Sequence, residues 1–434
     1  MHFVLDTIPR IIQIKMPVTF GHVGNSEALK RAIWCAVPLA SSALAFLFCA
    51  PLSAQLLIPT GSGGSVRTLG SDAAVLETQD ARKDLPCTVT PVKPTLGFDL
   101  RFHGGYEVAI PLKELVGQEN LLTTVFRVTR TDQPDGPVYF TQHINVPKID
   151  DNARGDAYLQ GGFDLGEGEY HIDWLMRDRA ERVCSFYWDS QAALPPRDKG
   201  IRLSVAGGSV LPIDPEPFRE EPPVPRDSSA PLNVKVMVNF APQRRLSATL
   251  QPIDTAALVS ILRSISREPR ICKFTVVAFN MQEQRVLYRQ ESEKIDFPAL
   301  GESLNSLNLG TVDVARLEQK HGETDFLTQL FEKEVGKDNP DALIFAGPKV
   351  MTDQGIPIES LKPLADLSYP VFYMNYNLNP QAMPWRDTIG NAVKHLKGFE
   401  YTISRPRDVW VAWTDIMARI VRLKLGRTSA TSSQ

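Results

Sequence analysis

Cysteine is scarce in this chain, 5 in 434 residues, and no two stand as Cys-x-x-Cys. That spacing excludes a thiolate zinc cluster and a thioredoxin-type dithiol. A glycine-rich phosphate loop, a His-Glu-x-x-His and a Gly-x-Ser-x-Gly are all missing. The short signatures of nucleotide binding, zinc proteolysis and esterase chemistry are therefore not written here. There are 7 histidines, and His103, His143 and His171 fall on separate expected strands. There is no basic excess either: 47 Lys and Arg stand against 50 Asp and Glu, a net charge of −3, so no footprint for nucleic acid exists. These absences leave open an active site assembled from distant residues, as in a secreted hydrolase, but they favour a non-enzymatic protein without cofactor or metal. What is present is 43% hydrophobic and 22% charged residues, enough for two cores.

The front of the chain carries an address. Residues 32–50 contain no charge, follow Lys30-Arg31, and close with Pro51-Leu-Ser-Ala54-Gln55. A basic flank, an apolar core and a small residue before the break predict a secretory signal within residues 1–54, cleaved after Ala54. The same stretch is long enough to remain as an uncleaved anchor. Either form sends the remainder outward, secreted or periplasmic. Phe48 before Cys49 does not fit lipoprotein processing, and Met16 is an alternative start. Without residues 1–54 the balance is 43 basic against 48 acidic side chains.

Residues 55–85, with Gly61-Ser-Gly-Gly-Ser65, read as a flexible tether. Residues 86–205 change texture. Leu96–Arg101, Tyr106–Leu112, Thr123–Arg130, Val138–Val146, Ala157–Phe163, Glu169–Arg177 and Arg182–Trp188 are short, partly alternating runs separated by Gly, Pro, Asp and Asn. They predict an antiparallel β-sandwich, immunoglobulin-like in shape, with Trp174 and Trp188 as core aromatics. Cys87 and Cys184 stand near its two ends. In an oxidising compartment they are the natural disulfide pair, with Cys272 a core thiol elsewhere. Residues 206–231 form a linker. Leu211–Pro231 holds seven prolines, which predicts an extended spacer keeping two domains apart.

From 232 to 425 strands and helices alternate. Val234–Phe240, Cys272–Phe279, Ala342–Ala346 and Val371–Met374 read as buried strands. Arg285–Arg289 is the antiparallel partner of a hairpin. Ala256–Ile265 is a helix with Asp254 as N-cap, and Thr324–Val335 another with Thr324 at its cap. Ile389–Leu396 and Val409–Leu423 follow as helices, and 426–434 is a polar tail. Alternation predicts an α/β, doubly wound, mainly parallel sheet covered on both faces. The order of elements resembles a von Willebrand factor A domain; an ordinary Rossmann-like domain is the competing fold, opposed by the hairpin and by the missing phosphate loop.

That resemblance implies a divalent cation held by Asp-x-Ser-x-Ser after the first strand, a Thr from a later loop and an Asp after another strand. In this chain the matching stretch is Asn239-Phe-Ala241-Pro-Gln243, Thr324 matches the loop ligand, and Gly347 stands where the Asp belongs. Hard cations need anionic oxygen ligands. With Asn239, Ala241, Gln243 and Gly347 in place of acids and serines, no tight metal is expected, and Thr324 serves as a helix cap. The carboxyl rim of an open sheet remains the default binding surface. Asn239, Gln243, Arg244, Arg245, His321 and Thr324 are its expected residues, with Arg244 and Arg245 facing either an acidic partner or solvent. Together these readings point to an exported module that binds an unknown protein partner, or to a structural part of an envelope assembly.

Overall fold

The computed structural model describes residues 13–14, 56–58, 69–117, 119–214, 216–244, 247–310, 321–336 and 338–431. Apart from the two-residue strand β1 (Gln13–Ile14), the expected leader lies outside these residues. No helix among the described residues is long and apolar enough to cross a membrane.

Helix α1 (Gly70–Thr78) precedes a run of strands: β2 (Leu56–Leu57) before it, then β3 (Thr88–Leu96), β4 (Phe102–Pro111), β5 (Asn120–Arg130), β6 (Val138–Val146), β7 (Asp156–Leu165), β8 (Gly168–Arg177), β9 (Val183–Ala192) and β10 (Val210–Pro212). They form two antiparallel sheets, β1-β7-β4-β3 with β10 added on β7, and β2-β6-β5-β8-β9. Alternate residues of each sheet meet in one shared core. Tyr106, Val108 and Ile110 of β4 and Phe163 of β7 face Phe126, Val128, Phe140 and Trp174 from the other sheet. Period two is what lets each strand bury one side and wet the other.

Three expectations shift here. The run Leu96–Arg101 is a turn, not a strand: the Gly97 N–H donates to the Arg101 carbonyl, and Leu100 sits at φ 60°. The first edge strand is β3, hidden from a pattern reading by Pro91 and Pro94. Part of the expected tether is α1, which buries Val75 and Leu76 against Val125, Leu175 and Val183. Trp174 is fully buried as expected, and Trp188 is half-buried.

The mixed sheet contains β11 (Leu232–Asn239), β12 (Ile271–Asn280), β13 (Arg285–Ser292), β14 (Ala342–Pro348), β15 (Val371–Tyr376) and β16 (Phe399–Ile403). Its order is β13-β12-β11-β14-β15-β16, parallel throughout except for β13, which turns back antiparallel on β12. The helices are α2 (Pro252–Ser266), α3 (Phe297–Leu304), α4 (Gly322–Glu334), α5 (Ile358–Leu361), α6 (Thr388–His395) and α7 (Pro406–Thr431). Helices α2 and α7 cover one face through Leu258, Leu262, Ile416 and Ile420. Helices α4 and α6 cover the other through Leu327, Phe331, Ile389 and Val393. Burial on both faces explains the predominantly apolar runs of β11, β14 and β15.

The Pro-rich segment does not stand off from the rest. Phe218 packs against Phe240, with ring centroids 6.3 Å apart, and Glu221 pairs with Arg263 at 2.9 Å and Arg267 at 2.6 Å. The two β-rich and α/β parts also touch directly. Phe98 meets Tyr376 edge-on at 6.0 Å and joins the α/β core, while Arg407 donates to Asp198 at 2.9 Å. Hydrophobic and ionic contacts thus replace the expected separation. Cys87 and Cys184 are disulfide-bonded, with Cα atoms 6.3 Å apart. Cys272 is half-buried rather than a core thiol: it is the second residue of β12, and its Sγ reaches the Asp227 carbonyl.

Candidate functional site

The carboxyl ends of β11, β14 and β15 bring one row of residues together. Register places Val238 beside Ala346, and Gly347 beside Asn375. Asn239, Gly347 and Asn375 therefore follow one another across three strands, on the face covered by α4 and α6. Asn239 is fully buried; its Oδ1 accepts from the Met281 N–H at 3.2 Å, and its Nδ2 has no partner among the described residues. Asn375 donates from Nδ2 to Glu400 at 2.8 Å and to Thr402 at 3.3 Å, while its Oδ1 is likewise unpartnered. Gly347 makes this approach sterically feasible: a Cβ there would lie 2.7 Å from the Asn239 Cβ.

Loops above the row add more amides. Gln243 Nε2 donates to Asn377 Oδ1 at 3.3 Å, and Asn377 is itself fully buried. Asn280 donates to the Phe240 carbonyl at 2.6 Å and accepts from the Glu283 N–H at 2.7 Å, which holds the β12–β13 turn. Beneath them sit two buried acids. The N-cap of α2 is Gln251 rather than Asp254, which sits at the third helical position and accepts from the Gln251 N–H at 3.2 Å as part of a capping box. Burial raises the Asp254 pKa, and burial together with the nearby Asp254 raises that of Tyr376. Asp387 caps α6 and accepts from the N–H groups of Val350 at 2.6 Å and Gly390 at 2.8 Å and from the Tyr373 hydroxyl at 2.9 Å. Burial raises its pKa too. With these donors spoken for, Asp387 acts as a structural pin.

The expected rim residues divide. Asn239, Gln243 and Gly347 converge on the amide row, and Ala241 is buried beside it. Arg244 is exposed, His321 is exposed just ahead of α4, and Arg245 lies outside the described residues. Thr324 is not the helix cap. That place belongs to His321, and Thr324 lies within α4, donating its hydroxyl to the Gln354 carbonyl at 3.0 Å. The donor set does not fit the cation that the fold resemblance implies. Asn239 offers one amide oxygen already engaged, Gly347 offers no side chain, and neither Ala241 nor Gln243 supplies an anion.

Sequence reasoning missed a second cluster. Asp99, His103 and Asp164 place one oxygen or nitrogen each within 4.8 Å of one another. His103 Nδ1 is 2.7 Å from Asp164 and its Nε2 is 3.0 Å from Asp99, while Arg101 adds a bond to Asp164 at 3.1 Å. Burial pulls the His103 pKa down, but its hydrogen bonds to Asp164 and Asp99 outweigh it and push it up to about 10. A metal needs a free nitrogen lone pair, and here both ring nitrogens are already engaged with carboxylates. The cluster is an imidazolium clamp. The spacing Asp99-x-x-x-His103 was visible in the sequence, but its partner on β7 was not.

No family model and no curated protein matches the chain. Among solved structures it aligns with a glycosyl hydrolase family 2 member from Bacteroides cellulosilyticus at 10% identity over 74% of this chain and 39% of that one, TM-score 0.17. It aligns with the PilB minor pilin from Streptococcus sanguinis at 7% identity over 69% of this chain and 87% of that one, TM-score 0.23. A beta-glucuronidase from Bacteroides uniformis gives 9% identity over 69% and 39%, TM-score 0.18. The chain thus spans about two fifths of the length of the hydrolases. Likenesses this shallow transfer no activity.

Proposed function

We infer that the chain is an exported, non-enzymatic binding module. In this reading an immunoglobulin-like sandwich precedes a von Willebrand factor A-like domain, whose carboxyl rim takes a protein partner without a metal. The sheet order β13-β12-β11-β14-β15-β16, with β13 antiparallel, supports that domain type. The Cys87–Cys184 disulfide supports export, since such bonds persist in oxidising compartments. The observation that carries the reading is the neutral row at the rim: Asn239 and Asn375 hold buried, unpartnered amide atoms where a cation-binding rim would hold carboxylates.

Two measurements test it. Calorimetric titration with magnesium or manganese is expected to show no binding tighter than the millimolar range, the weak end for oxygen sites. A photo-crosslinker at Gln243 in the native envelope is expected to capture a protein partner equally with and without chelator, and one at Glu293 to capture none. A micromolar metal site lost in Thr324→Ala, or adducts that vanish with chelator, would overturn the metal-free reading. The close docking of the two parts through Phe98 and Arg407 also suits a scaffold of an envelope assembly. Stoichiometric multimeric adducts would favour that role.

A further inference from the structure

The long outer edges of the three sheets, β3, β9, β13 and β16, are not equally guarded. Exposed edges are templates for strand pairing, and proteins blunt them with Pro, charges or covering segments. Strand β3 carries Pro91, Lys93 and Pro94. Strand β13 carries Arg285, Arg289 and Glu291. Strand β9 is partly covered: Leu85 donates to the Val183 carbonyl and Ser185 to the Arg82 carbonyl. Strand β16, Phe-Glu-Tyr-Thr-Ile, has no Pro and no Lys, and its one charge is turned inward, with Glu400 paired to Arg386 at 2.7 Å. It ends the sheet order, and no described segment pairs with its outer side.

Which groups are open follows from the pairing. The Ile403 carbonyl accepts from Asn377, so Phe399, Tyr401 and Ile403 bond toward β15. Backbone groups alternate sides along a strand, so Glu400 and Thr402 present N–H and C=O outward. Beside this edge an open groove runs along the start of α7, lined by Tyr401, Thr402, Ser404, Arg405, Val411 and Ala412. Val411 is 45% exposed there and Phe399 38%. Arg405 is exposed and makes no ion pair among the described residues. The neighbouring Asp408 is already engaged, accepting from Ser404 and from the Arg405 N–H.

We propose that the outer edge of β16 is a docking site that takes one extended strand of a partner polypeptide carrying an acidic side chain. Main-chain bonds to Glu400 and Thr402 extend the sheet. Alternate side chains of the added strand fall over the groove, an apolar one on Val411 and an acidic one toward Arg405, which is how strand addition combines affinity with selectivity. Asn375 of the amide row touches the Glu400 and Thr402 side chains, but docking here uses their outward main-chain groups and does not depend on the metal-free reading of that row.

The test uses the full chain and a fluorescein-labelled nonapeptide alternating threonine and valine with one central glutamate. Binding is followed by fluorescence anisotropy and by hydrogen exchange. The peptide is expected to bind and to slow exchange of the amides at 400 and 402. Thr402→Pro removes an outward donor and is expected to weaken binding tenfold or more, about the worth of one or two hydrogen bonds. Arg405→Glu, on an exposed side chain that leaves folding intact, is expected to weaken it about fivefold. A peptide with lysine in place of glutamate is expected to reverse that preference. No binding of either peptide, or equal binding by Arg405→Glu with no exchange protection at 400–403, overturns the proposal. So does a concentration-dependent dimer that Thr402→Pro dissolves, because the occupant is then a second copy.

Discussion

At the scale of single residues, His103 ties charge to stability. Its folded pKa of about 10 lies above the ordinary 6.5. A group shifted upward binds its proton more tightly when folded, so its contribution is whole below pH 6.5 and is lost as pH rises through about 10. Urea midpoints are therefore expected to fall between pH 6.5 and 10, and to fall less in His103→Gln. A variant with the same slope as the parent would place the titration elsewhere. Gly347 gives a second residue-scale prediction. Its missing Cβ is the space that Asn239 uses, so Gly347→Ala is expected to cost about 1–3 kcal/mol by overpacking. Gly355→Ala meets nothing within 4 Å and is expected to change stability by less than about 0.5 kcal/mol. Paired urea melts decide. Of this scale, Asn239, Gln243 and Gly347 were legible in the sequence because a motif numbered their positions. Asn375 and Asn377 were not, since only strand register puts Asn375 in the row with Asn239 and only a loop contact with Gln243 brings Asn377 to it, and the His103 clamp needed the pairing of β4 with β7.

Among the elements, β11 carries an exception to its own pattern. Lys235 sits in the apolar run yet is 1% exposed, and its Nζ meets the Glu334 carbonyl at 2.7 Å, the Glu334 carboxylate at 2.8 Å and Asp338 at 2.8 Å. This pins the carboxyl end of α4 to the sheet's centre. The bond from Lys235 is also the main cause that lowers the Asp338 pKa. Lys235→Met leaves Glu334 buried with only Arg289 at 3.5 Å, and is expected to cost about 3–5 kcal/mol. Adding Glu334→Leu is expected to recover most of that, since an apolar pair replaces a buried ionic one at little cost. Thermal denaturation of the single and double variants checks it. Strands buried on both faces were readable because they are long apolar runs with abrupt ends. Strand β16 was not: it has five residues, two of them exposed, and looks like a loop between two helices. Helix α1 escaped for a related reason, lacking any apolar stripe in a polar, glycine-rich neighbourhood. Strand β3 escaped because prolines mark edges and turns alike.

For the whole molecule, the disulfide is the covalent constraint among the described residues. It joins residues 97 apart in sequence. Reduction is expected to lower stability by up to about 4.7 kcal/mol, the chain-entropy figure for a loop near 100 residues. Peptide mapping without reductant is expected to find Cys87 linked to Cys184 and Cys272 as a thiol. Three alkylated thiols would mean that the two sheets hold by their core alone. The relation between the two parts was the least legible feature of all. Seven prolines read as a stiff rod, yet Phe218, Glu221 and Arg226 fasten that segment to the end of β11, to α2 and to β12, Arg226 lying 5.1 Å over the Phe274 ring. Side-chain anchors decide whether a proline-rich stretch separates or straps, and composition does not reveal their targets.

The same covalent link has a mechanical meaning. A protein held at a surface is pulled from its ends, and tension follows the shortest bonded route. Here that route leaves the backbone at Cys87 and rejoins it at Cys184, so strands β3 to β8 hang as a slack loop outside the loaded line. Stretched to its limit, that loop would otherwise give up roughly 330 Å of chain. While the bond is intact that length stays locked away, and the rupture of this part of the chain releases almost nothing.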